Sequence, residues 1–291
     1  MKKRFGDRKD ATRVRDIHGI QNIMIDFKPN RCDSFVYMNA KIDVTNFVKF
    51  IKDLKEEGKK ITFFHGIIAI LAKTVYSRPK MNYFVANRTL YNHDDVSFGF
   101  VAKEEFEDDS VELLTILKVK EEDTLFDIAD TLYKRVQEIR SKKSDADLDG
   151  TVDFLGKLPK IFRVPLVGFL KWMDKHGWLP KSLMDDNIYY SSAIVTNIGT
   201  FKVGAIHHNL TNFGTASSLI SFGEIKEENK RFYMEMGAAL DERIADGFYF
   251  CKALKLIEYL FDNPELLLKP AGEHVSVPNV KKEDKKDGRK K

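Results

Sequence analysis

The apolar positions of this chain alternate between strand-like clusters and helix-like repeats. Between Ser34 and Val44, the run Phe35, Val36, Tyr37 and Met38 predicts a strand. The spacing then changes: Val44, Phe47, Val48, Ile51 and Leu54 recur at three and four residues, as one face of a helix does, and Gly58 is placed to end it. Ile61 to Ser77 is apolar nearly all round, with Ile67, Ile68, Ile70, Leu71 and Val75, and it stops before Pro79. That composition predicts a buried helix. Short strands fit Arg88 to Tyr91, Val96 to Val101 and Val111 to Val119, and Leu125, Ile128, Ala129, Leu132, Val136 and Ile139 mark one face of an amphipathic helix.

Leu148 to Asp186 departs from this regularity, because Pro159, Pro165 and Pro180 interrupt a stretch rich in Phe154, Phe162, Phe169, Trp172 and Trp178. Clustered aromatics are usually packed, which favours a core-capping insertion of broken helices over a substrate lid or a membrane-surface patch. Strands return at Ala193 to Asn197, Ser218 to Ile225 and Arg231 to Asp241. A helix follows from Gly247 to Phe261, with Phe250, Ala253, Leu254, Ile257 and Phe261 on its buried side. After Leu268 the core signals stop, and Lys269 to Lys291 reads as a flexible tail. Strands and helices mixed without internal repeats predict an α/β layered sandwich.

Composition narrows the function classes. The 291 residues are 43% hydrophobic, enough for a large core, and 48 basic residues are offset by 44 acidic ones, leaving a formal net charge of +4. That balance argues against a nucleic-acid partner. The excess charge sits at the ends, in Met1 to Arg4 and in Lys281 to Lys291, both read as solvated arms. No apolar run resembles a signal peptide or approaches a membrane span. Cys32 and Cys251 lie far apart in no Cys-x-x-Cys arrangement, which speaks against a disulfide framework or a cysteine-ligated metal and for a cytoplasmic setting.

Several motifs fail on inspection. Asp145-Ala146-Asp147-Leu148-Asp149-Gly150 copies the start of an EF-hand loop, but its closing bidentate glutamate would fall on Gly156, so a solvated turn is expected. There is no Gly-rich phosphate loop and no Gly-x-Ser-x-Gly elbow.

The informative stretch is Ala239-Leu240-Asp241-Glu242-Arg243-Ile244-Ala245-Asp246-Gly247-Phe248, at the junction of the last predicted strand and helix. It resembles the Asp-His-Arg-Val-x-Asp-Gly signature of dihydrolipoyl acyltransferases and the His-His-x-x-x-Asp-Gly signature of chloramphenicol acetyltransferases. Arg243, Asp246 and Gly247 match, while Glu242 stands where the catalytic histidine is expected. Ala193-Ile194-Val195-Thr196-Asn197-Ile198-Gly199 is similar to the acyltransferase segment Phe-Thr-Ile-Ser-Asn-Leu-Gly, with Thr196 for the serine. Asp262-Asn263-Pro264-Glu265-Leu266-Leu267-Leu268 resembles the end of the family's closing helix, and Lys41-Ile42-Asp43-Val44-Thr45 the start of its first.

The resemblance covers roughly Phe35 to Leu268 in a consistent order, leaving the middle insertion and both tails outside it. It implies a two-layer α/β sandwich of chloramphenicol acetyltransferase type, a mixed sheet packed with helices, assembled as a homotrimer with active sites between subunits. Residues 1–34 would be a basic arm and lead-in segment, 35–268 the catalytic domain with 148–186 inserted, and 269–291 the tail. The implied activity is acyl transfer between a coenzyme A thioester and a small thiol or hydroxyl acceptor, with acyl-CoA as substrate and no metal. The chain shows no lipoyl-bearing arm ahead of this domain, which speaks against membership of a dehydrogenase complex. By the same resemblance Thr196 is the oxyanion donor, Glu242 the candidate base and Asp246 an organiser of the loop through charge pairing, with Arg243, Gly247 and Asn197 in support.

The exchange at Glu242 opens three readings. An unperturbed glutamate is a weaker base than an imidazole by about 3 kcal/mol of proton affinity; desolvation and nearby carboxylates strengthen it, and cations weaken it. Glu242 is therefore a working carboxylate base, or the chain is a catalytically inactive homotrimer that binds or assembles, or another histidine has taken over. His207 and His208, between the Thr196 segment and the strand leading to Glu242, are the candidates for takeover, against the plainer reading of two exposed loop histidines. His65 reads as a hydrogen-bonded core residue, and His18, His93, His176 and His274 show no constellation.

Overall fold

The computed structural model describes residues 3–103, 112–141, 156–185 and 187–278. Its main sheet is built from β2 (Phe35–Asp43), β5 (Val96–Lys103), β6 (Glu112–Val119), β7 (Ala193–Asn197), β8 (Ser218–Glu228) and β9 (Arg231–Asp241). The strand order is β2-β9-β8-β7-β5-β6. β7 runs parallel to β5 and to β8, and the other neighbours are antiparallel, so the sheet is mixed. A second, three-stranded sheet has the order β1-β4-β3, from β1 (Ala11–Arg13), β3 (Tyr83–Ala86) and β4 (Thr89–His93).

Side chains alternate across a strand, so residue parity assigns the two faces of the main sheet. Ile42, Phe98, Val195, Ile220, Met236 and Leu240 point into the large core. They meet α2 (Thr45–Glu56), α3 (Phe63–Ser77), α4 (Leu125–Ser141) and, after β9, the closing helix, numbered α6 below. Residues of the opposite parity, including Ile194 and Leu219, face a smaller cluster with Ile188, Leu210 and Ala216 from the connecting segments. The two-layer α/β sandwich expected from the sequence is thus the observed one.

Local signals explain the helix ends. Gly58 has φ +81°, and Lys59 N–H donates to Leu54 O at 3.0 Å, the six-to-one bond that closes α2. Thr62 caps α3 by accepting from His65 N–H at 3.3 Å, while the His65 ring accepts from Thr62 N–H at 3.2 Å, so His65 is the hydrogen-bonded core residue anticipated. α2 and α3 approach closely over Gly66, where an added Cβ would lie 2.3 Å from Phe47 Cζ. Phe47 is held by the rings of Phe63 and Phe261, at 4.6 and 5.1 Å between centroids, so it cannot give way. We expect Gly66→Ala to destabilise by about 1–3 kcal/mol from overpacking, outweighing the roughly 1 kcal/mol that alanine gains in helix propensity. Chemical denaturation checks this, and a stabilised variant would contradict the packing.

Three expectations change. The lead-in segment, given no elements in the sequence reading, is folded: β1 pairs with β4, a helix α1 (Gly19–Phe27) precedes the main sheet, and Arg8 and Arg31 are buried. The start of the expected tail is packed, with Ala271 buried, Lys73 Nζ donating to Pro270 O at 2.6 Å and Val275 N–H to Ser77 Oγ at 3.0 Å. The aromatic insertion caps the core with one face only, packing Leu170 and Met173 on the buried Leu179, Met184 and Tyr190. Its helix α5 (Lys160–Lys175) carries Pro165 in its interior and leaves Ile161, Phe162, Phe169 and Trp172 exposed. The Asp145–Gly150 motif lies outside the described residues.

Candidate active site

At the end of β9 the backbone turns, and within the run Asp241 to Ala245 all residues are buried except the half-exposed Glu242. Asp241 and Arg243 are buried and face each other: Arg243 Nε and Nη2 donate to the two carboxylate oxygens at 2.8 and 2.7 Å. Arg31 Nε stands 3.8 Å from the same carboxylate, so one buried anion lies between two buried cations. Burial pulls the Arg31 guanidinium below its usual range; Asp241 opposes that shift and Arg243 adds to it. Backbone carbonyls take up the other guanidinium nitrogens, while the buried Arg31 Nε has no hydrogen-bond partner among the described residues. Arg243 Nη1 reaches Lys28 O and Pro29 O, while Arg31 reaches Thr211 O and Gly214 O.

Glu242, between the two buried residues, is presented outward. Its N–H donates to Ser34 O at 2.8 Å, and its Oε2 accepts from Lys28 Nζ at 2.5 Å with the carboxylate side chain 38% exposed. Gln21 Nε2 donates to Arg243 O and Ile244 O, at 3.0 and 3.1 Å, pinning the turn to α1. Asp246 opens α6 (Gly247–Asp262), where its Oδ1 accepts from Tyr249 N–H at 2.7 Å. Asp246 therefore serves as a helix N-cap, an ordinary use of aspartate, and no cation pairs with it among the described residues. Gly247 is the first residue of that helix and is exposed.

Thr196 lies on the sheet face turned away from the main core, at the end of β7 with Asn197 after it. Strand register places Thr196 beside Ser221, Ser221 beside Gly237 and Gly237 beside Asn39, a row of small and polar residues across four strands. The 204–209 segment runs over this row. Ser221 Oγ donates to Ile206 O at 2.5 Å, and His207 Nε2 donates to Asn39 Oδ1 at 2.7 Å. Gly237 permits the approach, since a Cβ there would meet His207 Cε1 at 3.3 Å and Ile206 O at 3.2 Å. His207 packs edge-on against Tyr37, and both His207 and His208 are exposed.

Within one chain, therefore, the structure does not bring Thr196 and Glu242 together. Glu242 lies five residues beyond Gly237 and two strands away from Thr196, a separation on the order of 20 Å from strand rise and spacing. His207, above Gly237, shares the level of Thr196 at about two strand spacings, roughly 10 Å. Lys28, Arg31, Gln21, Asn39 and Ser221 were not identified from the sequence. Lys28, Arg31 and Gln21 are more than 200 residues from the turn they support, and no local pattern encodes such a contact.

One histidine set aside at the sequence level does belong to a constellation. His93 is buried, with Nδ1 bonded to Asn82 O at 2.9 Å and Nε2 to Thr215 Oγ1 at 3.0 Å. A carbonyl only accepts, so Nδ1 carries the proton and Nε2 accepts from the threonine hydroxyl. His93 also lines a cavity of about 550 Å³ with Asp10, Ser97, Arg135, Met184 and Tyr190, distinct from the Glu242 turn.

Comparison with solved structures places the fold. The chain is similar to a probable dihydrolipoamide acetyltransferase from Listeria monocytogenes, with 14% identity, a TM-score of 0.56, and coverage of 86% of this chain and 94% of the other. It is also similar to a truncated catalytic core of the 2-oxoacid dehydrogenase multienzyme complex from Thermoplasma acidophilum, at 16% identity, TM-score 0.55, and 86% and 98% coverage. A chloramphenicol acetyltransferase aligns at 12% identity and TM-score 0.55, covering 89% of this chain and all of that one. No family model and no curated protein matches the sequence. The likeness is one of fold, and it agrees with the resemblance read from the sequence motifs.

Proposed function

We propose that the protein transfers an acyl group between a coenzyme A thioester and a small thiol or hydroxyl acceptor, at a site shared between copies of a homotrimer. The observation that carries this reading is the way Glu242 is held. A buried ion cluster contributes little net stability because its desolvation offsets its attraction. What it does supply is position: Asp241, Arg243 and Arg31 hold the turn from beneath, so that Glu242 between them is turned outward. Fixing a reactive group before substrate arrives lowers the cost of reaching the transition state.

In this scheme the Glu242 carboxylate accepts the acceptor's proton as its sulfur or oxygen attacks the thioester carbonyl. Thr196 of an adjacent copy donates its hydroxyl to the tetrahedral oxyanion. Collapse breaks the acyl–sulfur bond, and the proton passes from Glu242 to the departing CoA thiolate. Sharing the site between copies would answer the separation of Thr196 and Glu242 in one chain. The Lys28 ammonium occupies one lone pair of Oε2, so the acceptor's proton would go to Oε1 or wait for Lys28 to swing away.

That same ion pair favours a second reading, a non-catalytic trimer that keeps the fold to bind a ligand or partner. Acyl-CoA turnover with a panel of thiol and hydroxyl acceptors separates the two. We expect Glu242→Gln to lower kcat by about a hundredfold or more with the fold retained. An inactive native protein that gains activity only as Glu242→His would support the second reading. Takeover by the loop histidines requires turnover to collapse in a His207→Ala, His208→Ala double variant while Glu242→Gln stays active. Sedimentation tests the assembly, since a mass near that of one 33.6 kDa chain contradicts a shared site.

A further inference from the structure

From α5 we infer a docking surface for the headgroup layer of an anionic lipid bilayer, separate from the acyl-transfer reading. At 3.6 residues per turn, Ile161, Phe162, Val164, Pro165, Phe169 and Trp172 fall within an arc of roughly 160°. That arc faces outward, with Ile161 75% and Phe162 65% exposed. The opposite face is the one the protein uses. Leu170 and Met173 pack against Leu179, Met184 and Tyr190. The buried Asp174 accepts from Tyr190 Oη at 2.7 Å and from Gly214 N–H at 2.9 Å, and its own carbonyl accepts from Arg8 at 2.7 Å. The helix is therefore anchored, and its outer apolar face is a constant feature of the surface.

Charge and aromatic placement select the occupant. Lys160, Lys171 and Lys175 line one edge of the apolar arc, and the helix's one acidic residue, Asp174, is turned inward. At the C-terminal end Trp172 stacks with Phe169 and meets Trp178 edge-on, with centroids 5.9 and 5.1 Å apart. A cationic edge beside an apolar face with tryptophans is how a helix lies in a membrane interface, its rings at headgroup depth and its lysines among anionic phosphates. A second copy fits less well, because it would present the same lysine edge to this one. With 16 residues, α5 lies on a bilayer and does not cross it; a span needs about 20.

The chain's two tryptophans both sit in this patch, so intrinsic fluorescence reports on it directly. The full chain is mixed with vesicles of phosphatidylcholine containing phosphatidylglycerol, and with phosphatidylcholine alone. We expect flotation with the anionic vesicles, a blue-shifted emission quenched by brominated lipid, and release on raising salt from about 0.1 to about 0.5 M. Phe162→Ser with Phe169→Ser lowers partitioning at least about tenfold while keeping both reporters. Reversing the three lysines to glutamate lowers it by roughly a hundredfold or more. Native protein whose emission and sedimentation ignore anionic vesicles overturns the proposal. So does a Phe162→Ser, Phe169→Ser variant that dissociates a native oligomer while vesicles have no effect, which would assign the face to a second copy.

Discussion

Asp241→Asn is expected to lower the stability of the folded protein by about 3–5 kcal/mol, the usual cost of removing one partner of a buried ion pair. The substitution preserves shape but removes the charge and turns one of the two oxygens that accept from Arg243 into an amide donor. What remains is Arg243 and Arg31, both buried, with no anion between them. Their backbone carbonyl partners persist, so the loss is that of the charge and of one Arg243 hydrogen bond to the carboxylate. The urea midpoint at fixed protein concentration measures it, and a change under about 1 kcal/mol would show that the cluster carries no such cost. Replacing Asp241 and Arg243 together by leucine and methionine should recover part of the loss, because it removes a charge from each side. A double-mutant cycle then isolates their coupling. The same cycle bears on Glu242, which owes its outward placement to these neighbours.

Acid should weaken the protein well before its carboxylates titrate. Burial, the largest influence, pushes the His93 imidazole down to about 4 from an ordinary 6.5; its contact with Asn82 and the charge of Asp10 oppose the shift. Above pH 6.5 the ring is neutral in both folded and unfolded chains and contributes nothing to the pH dependence. Between about 6.5 and about 4 the unfolded chain takes up a proton that the folded chain refuses, so stability falls as pH falls. The full difference is about 3 kcal/mol, complete once pH drops below the folded value. His65, also lowered by burial, adds in the same direction. Asp7, held to about 2 by backbone N–H donors of Arg4 and Arg13, acts only at lower pH. We expect His93→Gln to be less stable at pH 7 and to lose less between pH 6.5 and 4. A wild-type profile flat across that interval would contradict the buried neutral ring.

Much of the fold was legible because its signals are local. α2, α3, α4 and α6 announce themselves by spacing, by Gly58 and by the Pro79 that follows α3, and of the strands in the last third β7 and β9 coincide with their predicted spans while β8 runs three residues longer, to Glu228. The three-stranded sheet was harder. β1 is three residues long and β3 four, too short for a period to show, and their identity as strands comes from pairing with β4. α5 was misjudged for a different reason. Clustered aromatics identify a surface that must be covered, and the sequence alone cannot say whether the protein or something else covers it.

The candidate site divides along the same line. The chain by itself determined the residue types: a glutamate at the histidine position, the Arg243 and Asp246 that flank it, and a threonine hydroxyl on the segment before β8. It also determined the class of fold, since the order of periodic segments is written along the backbone. Only the tertiary structure decided what those residues meet. It set Lys28 on Glu242, made Asp241 the anion between Arg31 and Arg243, turned Asp246 into a helix cap, and placed Thr196 level with His207 and distant from the turn. The reason is physical. Helix and strand periods arise from neighbours a few residues apart, whereas charge pairing, burial and register are set by groups brought together from opposite ends of the chain.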